Sequence, residues 1–440
     1  MLPDLDVIVL GTGTSSSIPL VGCLTDPEQG CHCCRSTLDS FNPLHLKNNR
    51  RNTSAVVRIK SQIEGERDKV ILIDCGKTFL AGAQQHWPAK GLREIDAVIL
   101  THAHADAILG LDDLRGWTLR GAIQPSIPIY LTQDTFTEVS KAFPYLTNAG
   151  KATGGGDIPA LTWQIFDDRT PFEVCGIEVV PLPVHHGKFF TTPPSPYFCL
   201  GFLLARQVCY LSDVSYIPED VWSALGRYIA LPSWPPISAA ENGAAEKQDA
   251  GAKEEEEKSP LKALIIDCLR LEPFTSHFGL GQAMATARRI GAEKNYLIGF
   301  GHRTSHALWL SACRALSPPS SSPSPSSKAP RRSLLPSDPS SAVPSFPHQW
   351  AAYSGHPDPR LEDEQAWTET ALQVVESWAL GAAGDEGGRG GKQYAEGEEG
   401  EKERDRWEGS VWVRPAVDGM TIRVRKGEGV VDDEYEGEEQ

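Results

Sequence analysis

The stretch Thr101-His102-Ala103-His104-Ala105-Asp106 constrains this chain more than any other. It follows Ile95-Asp96-Ala97-Val98-Ile99-Leu100, an apolar run with β-branched residues that reads as a buried strand. Two imidazoles and a carboxylate at alternate positions, just past a strand end, make a ligand set for a divalent cation, because neutral imidazole and ionised carboxylate suit zinc, manganese or iron. A His-x-His pair alone is weak evidence, since paired histidines often just sit at a surface. The aspartate, the buried strand before it and the turn Leu109-Gly110-Leu111-Asp112-Asp113-Leu114 after it make the signal strong. The alternative is a purely structural loop.

The same order of strand, polar residue at the strand tip, then loop or helix recurs along the chain. Val70-Ile71-Leu72-Ile73 ends at Asp74-Cys75-Gly76, and residues 79–87 read as a helix. Residues 128–131 read as a strand and 132–143 as a helix. Residues 172–180 form a predicted hairpin with Cys175-Gly176 at its turn, and it delivers His185-His186-Gly187. Of these two histidines, the glycine that follows favours His186 as a ligand. Val208-Cys209-Tyr210-Leu211 leads to Ser212-Asp213, and Leu264-Ile265-Ile266 leads to Asp267. His277 lies in a loop before a helix over 281–290, and the strand Asn295-Tyr296-Leu297-Ile298-Gly299-Phe300 ends at Gly301-His302. α/β folds place their sites in this way, on loops outside strand ends.

Near the N-terminus the strand Asp6-Val7-Ile8-Val9-Leu10 runs into Gly11-Thr12-Gly13-Thr14. A dinucleotide fingerprint is a poor reading of this turn: the third glycine is missing and Pro19 follows, so no helix opens where a phosphate would sit. Cys23 and the run Gly30-Cys31-His32-Cys33-Cys34 suggest a structural zinc, with Cys31-x-x-Cys34 at knuckle spacing and Cys23 as a third ligand. Unrelated thiols in one loop are the alternative.

Taken in order, these motifs resemble those of the metallo-β-lactamase superfamily. The resemblance covers most of residues 5–310 and a final hairpin. Within the superfamily it is nearest to the PhnP-type cyclic phosphodiesterases, with the tRNA 3′-end processing nucleases more distant. Its strand-tip aspartate matches Asp74, its His-x-His-x-Asp loop matches His102, His104 and Asp106, and its later ligands match His186, Asp213 and His302. The fold it implies is an α/β, αββα sandwich. It further implies one ion on His102, His104 and His186, with Asp213 bridging to a second on Asp106 and His302. Asp74 would orient a ligand or the water, and His277 would protonate the leaving oxygen. His306 would complete the structural zinc with Cys23, Cys31 and Cys34. The chain departs from the usual pattern at Ala107, where the superfamily has a histidine. Without that imidazole the second ion keeps two carboxylates and one histidine, a weaker set as suited to manganese as to zinc. The centre would then hold one ion, or take a second only with substrate.

The net charge of −16 is concentrated in acidic runs such as 254–257 and 432–439. An acidic chain argues against nucleic acid as a partner. A basic segment followed by an apolar one is absent from the N-terminus, and no apolar run reaches the roughly 18 residues of a membrane span, so a cytoplasmic protein with no membrane partner is expected. Several of the ten cysteines, among them Cys75, Cys199, Cys209 and Cys268, stand singly in apolar runs and read as reduced, buried thiols. Residues 1–316 read as the hydrolase domain, interrupted by an Ala/Glu/Lys-rich insertion at 238–260. Then come a Ser/Pro-rich insertion (317–347), a helical segment (348–380), a Gly/Glu-rich linker (381–407), a hairpin around Asp418-Gly419 (408–426) and an acidic tail (427–440). The two insertions and the linker are too polar to offset the entropy of ordering and are expected to be disordered.

The expected function is hydrolysis of a small phosphodiester, cyclic ones included, by water activated on one or two Zn2+ or Mn2+ ions, with a structural Zn2+ elsewhere. Thioester hydrolysis of the glyoxalase II kind is an alternative. Another is a non-catalytic metal-binding protein in which Ala107 marks decay.

Overall fold

A computed structural model describes residues 2–153, 157–232, 258–317, 364–382 and 411–435. Its strands form two sheets. The first contains β1 (Leu5–Gly11), β2 (Ser54–Ile59), β3 (Lys69–Ile73), β4 (Ala97–Ile99), β5 (Ile127–Leu131) and β6 (Leu161–Ile165). The second contains β7 (Phe172–Val174), β8 (Ile177–Lys188), β9 (Pro196–Leu204), β10 (Val208–Leu211), β11 (Ala263–Asp267), β12 (Lys294–Ile298) and β13 (Val413–Pro415). Two late strands, β14 (Thr421–Arg425) and β15 (Gly429–Asp432), return to the first sheet. The strand orders are β15-β14-β1-β2-β3-β4-β5-β6 and β13-β12-β11-β10-β9-β8-β7.

The near-continuous apolar runs follow from burial of both faces of each sheet. Because side chains alternate along a strand, each run feeds two cores. In β3, Ile71 and Ile73 pack between the sheets, while Val70 and Leu72 face outward onto α1 (Phe79–Ala89) and α2 (Gln133–Ala142). In β11, Ile265 faces the inner core and Leu264 and Ile266 face the opposite outer layer. That layer holds α3 (Glu219–Tyr228), α4 (Leu280–Ile290), α5 (His306–Leu316) and α6 (Glu364–Ala382). Helices therefore cover both outer faces, giving the expected αββα order. Each fully buried Ile or Leu contributes about 1.5–3 kcal/mol, so the three clusters dominate the stability of the sandwich. Local signals bound the helices: α4 stops at Gly291, whose φ of 68° is the left-handed cap that glycine adopts without a Cβ penalty.

The C-terminal segment differs from the single hairpin expected over 408–426. β13 adds in parallel to β12, whereas β14 pairs antiparallel with β1 in the other sheet, so this short stretch joins the two sheets. The turn between them is fixed from a distance. Asp418 accepts from the Thr12 N–H (2.9 Å), the Thr12 hydroxyl (2.8 Å) and the Arg51 N–H (2.7 Å). The expected acidic tail is also structured as far as residue 435: β15 lies within it, Tyr435 is buried, and Asp432 accepts from the Tyr296 hydroxyl at 2.8 Å. Most of the two predicted insertions and of the Gly/Glu-rich linker lies outside the described residues. Among the described residues, no helix is long and apolar enough to cross a membrane.

Candidate metal centre

The His-x-His-x-Asp loop leaves β4 at the edge where the two sheets meet. There the Leu200 N–H of β9 donates to the Thr101 carbonyl across the sandwich at 3.0 Å. The loop turns into a single helical turn, Ala105–Ile108, for which His104 is the N-cap. This turn docks on the loop after β3: Cys75 N–H donates to Ala107 O at 2.8 Å, and Gly110 N–H to Cys75 O at 2.8 Å. The approach is so close that a Cβ on Gly76 would meet the Asp106 carbonyl oxygen at 1.6 Å, which accounts for the glycine of Asp-x-Gly. Asp74 itself sits at φ 60°, a left-handed conformation that aspartate tolerates better than most residues.

That conformation aims the Asp74 carboxylate at Thr101. Oδ1 accepts the Thr101 N–H and Oδ2 accepts the Thr101 hydroxyl, both at 2.8 Å. With its proton given to Asp74, the hydroxyl oxygen accepts from His102 Nδ1–H, also at 2.8 Å. The chain fixes the tautomer of His102 and leaves Nε2 as a bare lone pair, buried and without a hydrogen-bond partner. His186 is fixed in the same way: its Nδ1–H donates to the Ser276 carbonyl at 2.7 Å, and its Nε2 lies 3.2 Å from His104 Nδ1. His104 is held by stacking on Tyr197, with ring centroids 4.6 Å apart and planes 12° from parallel.

Three imidazole nitrogens thus converge, and Asp213, at the tip of β10, approaches both His102 and His186. Burial pulls the pKa of His102 down to about 3; His104, exposed at the loop rim but partly desolvated by its neighbours, is lowered to about 4, and adjacent imidazoles add to both shifts. Both rings are neutral at pH 7, as ligands must be. Burial alone would raise the pKa of Asp213, but the surrounding His186, His102 and His277 rings hold it below the usual range. An orphaned buried lone pair, two facing ring nitrogens and an ionised carboxylate fit a divalent cation.

The other predicted site residues are placed as follows. His185 points away, between Phe198 and Tyr216. Asp106 belongs to none of the clustered ligand groups among the described residues, and burial followed by the field of Asp213 raises its pKa. Ala107 is buried in the core beneath α1. His277 stands beside the centre. Its Nδ1–H donates to Asp267 Oδ2 at 2.8 Å, and Nδ1 lies 3.7 Å from Asp213 Oδ1. Burial works against protonation of this ring, but Asp267 and Asp213 outweigh it and raise its pKa to about 9.

His302 requires a correction. It does not join Asp106 and Asp213. Its Nδ1 lies 3.4 Å from Cys23 Sγ, 3.5 Å from Cys31 Sγ and 3.8 Å from Cys34 Sγ. Buried Arg50 shapes the loop that carries it, donating from Nη1 to Gly301 O (2.8 Å) and from Nη2 to Thr304 O (2.9 Å). His306, expected as the fourth ligand of the cysteines, is therefore not one. Ser305 caps α5, so His306 becomes its first residue; its N–H donates to Asn48 Oδ1 (2.7 Å), and its ring lies against the Tyr435 hydroxyl (3.4 Å). Three thiols and one imidazole form a Cys3His group with the donor chemistry of a structural zinc site.

Thr101, Tyr197 and Asp267 carry site geometry that sequence reasoning missed. Asp267 had a visible signal, an acid at a buried strand tip like Asp74 and Asp213, whereas the stacking role of Tyr197 had none. Thr101→Val removes the hydroxyl that links Asp74 to His102 Nδ1. Loss of such an outer partner is expected to weaken metal affinity about 10- to 100-fold, measured by competition with a chelator, and unchanged affinity would contradict the relay.

Residues 69–231, which carry Asp74, His102, His104, Asp106, His186 and Asp213, match the family model for a beta-lactamase superfamily domain. The chain is 26% identical over 300 residues to an octanoyltransferase of Porphyromonas gingivalis, covering 67% of this chain and 46% of that protein. It is 29% identical over 153 residues to the anti-Pycsar protein Apyc1 of Paenibacillus sp. (strain J14), covering 34% and 58%. The chain thus spans about half the length of these curated relatives. A solved diphosphatase of the PhnP family is similar, with a TM-score of 0.48 and 25% identity over 70% of this chain and 90% of that one.

Proposed function

We propose that this chain, whose residues 69–231 match a beta-lactamase superfamily domain, is a metal-dependent hydrolase of the PhnP-like kind, cleaving a small phosphodiester by attack of water on phosphorus. The carrying observation is His277, bonded to Asp267 and set beside three convergent imidazoles, where it could give a proton. His102, His104, His186 and Asp213 would hold the ion, with Thr101 and Asp74 keeping the His102 lone pair turned toward it. When bound, a divalent ion lowers the pKa of water and neutralises charge that builds on phosphoryl oxygens.

The chain's own groups handle the proton. Water that has released one proton to bulk solvent forms a bond from its oxygen to phosphorus, the ester P–O bond breaks, the leaving oxygen takes a proton from protonated His277, and His277 regains its proton from solvent. Asp267 accepts the His277 Nδ1–H, so the proton given to the leaving group would be the one on Nε2. This favours an oxygen ester over a thioester, because an alkoxide leaves poorly without a proton whereas a thiolate leaves readily on its own.

Paired substrates test this reading. His277→Ala is expected to slow hydrolysis of phosphodiesters with alkyl leaving groups about 10²- to 10⁴-fold, the usual worth of a positioned acid. Bis-p-nitrophenyl phosphate, whose leaving group is stable as an anion, should be far less affected. An equal loss on both would remove the proton-donor role. Wild-type turnover of thioesters without turnover of any phosphodiester would overturn the substrate class.

A further inference from the structure

The usual ligand pattern calls for a second ion on Asp106, Asp213 and His302, and the residues present do not fit it. His302 is taken by the cysteines. Position 107 is an alanine packed in the core. Asp106 shares no clustered ligand group with Asp213 among the described residues. A second ion would be left with Asp106 and Asp213, of which Asp213 already faces the first; the imidazole grouped with Asp213 and His186 is that of His277, whose Nδ1–H is given to Asp267. Paired carboxylates without nitrogen ligands make a weak site for zinc, which favours nitrogen and sulfur donors.

The group that does stand beside Asp213 is a side chain held from several directions. Asp267 is fully buried, and its Oδ2 accepts both from His277 Nδ1–H and from the Val214 N–H (3.1 Å). Gly299, at φ 79°, lies so close to the other carboxylate oxygen that a Cβ there would meet it at 2.1 Å. The His277 carbonyl accepts the Phe274 N–H at 3.0 Å, closing a tight turn. The neighbouring Ser276 carbonyl fixes the tautomer of His186. One connection, between β11 and α4, therefore orients a ligand of the first ion and also places an imidazole 3.7 Å from the carboxylate that a second ion would share.

We propose that the centre binds a single catalytic ion on His102, His104, His186 and Asp213, and that the Asp267–His277 pair occupies the place of a second. This rests on the metal-hydrolase reading and narrows it to one-ion chemistry. Together with the Cys3His group, it sets the metal content of the full chain at two ions.

The test is metal counting. Full-length protein, desalted after exposure to excess zinc, is expected to retain two equivalents by elemental mass spectrometry. His104→Ala should retain one, and His277→Ala should retain two. Cobalt titration of metal-free protein should saturate at two equivalents, with no spin-coupled signal by electron paramagnetic resonance, and inorganic phosphate should not change that count. A third equivalent, with or without phosphate, or a coupled cobalt pair would overturn the proposal. So would loss of an equivalent in His277→Ala, which would make His277 a ligand. Two bound ions with no turnover of any phosphodiester would sink the phosphodiesterase reading and leave the count standing. Three ions with turnover would do the reverse.

Discussion

His104→Ala is expected to lower kcat/KM for a phosphodiester on the order of 10³-fold or more while leaving the fold intact. His104 supplies one of three convergent nitrogens from a loop rim, and its ring packs on Tyr197 rather than in any hydrophobic core. Removing it strips a ligand from a centre whose ion contributes several kcal/mol to the transition state, and each 1.36 kcal/mol is worth about tenfold in rate. The far-ultraviolet circular dichroism and the thermal midpoint of metal-free protein should match wild type. Full activity in this variant would mean that the chemistry lies elsewhere.

The second large effect is expected at the cysteines. Cys31→Ser with Cys34→Ser should release one equivalent of zinc and lower the midpoint of thermal unfolding by about 10 °C, taking roughly 3–5 kcal/mol of lost stability at about 2–4 °C per kcal/mol. The loop from Ile18 to Ser36 has a very small core of its own: Ile18, Cys31, Cys33 and Cys34 form an isolated cluster. Val21, Leu38 and Phe41 stay exposed nearby. A bound ion would replace the missing apolar contacts, because the free energy of metal binding is also folding free energy for the segment that supplies the ligands. Without metal, the close approach of Cys34, followed by burial, pushes the Cys31 thiol up to about 12. Crowded thiols of this kind hold a cation well and each other poorly. His302→Ala should release the same equivalent, whereas His306→Ala should not. The reverse pattern would restore the assignment expected from the sequence.

These outcomes bear on what was legible in the sequence. The sheets were, because β3, β4, β10 and β11 are buried on both faces and so read as short apolar runs with an acid or histidine at the tip. β6 was not: Leu161–Ile165 is a largely exposed edge strand with little apolar pattern. The split of residues 411–425 between two sheets depends on Asp418 reaching Thr12, a contact that no local pattern encodes. His302 and His306 are four residues apart, and either could have turned toward the cysteines from spacing alone. Ser305 starting a helix at His306, and Arg50 gripping the carbonyls of Gly301 and Thr304, decide between them. Asp267 and His277 were both visible as residues. Their pairing depends on the path of the connection between them and on the room left by Gly299.

Metal-dependent hydrolysis at the histidine cluster can be read from one titration. Protein stripped of metal is assayed on bis-p-nitrophenyl phosphate while zinc or manganese is returned in measured steps, with His104→Ala alongside. Activity should be absent from the stripped protein, should rise to a plateau as the ions are restored, and should stay near background throughout in the variant. Undiminished activity in the stripped protein, or equal recovery in wild type and variant, would contradict the account.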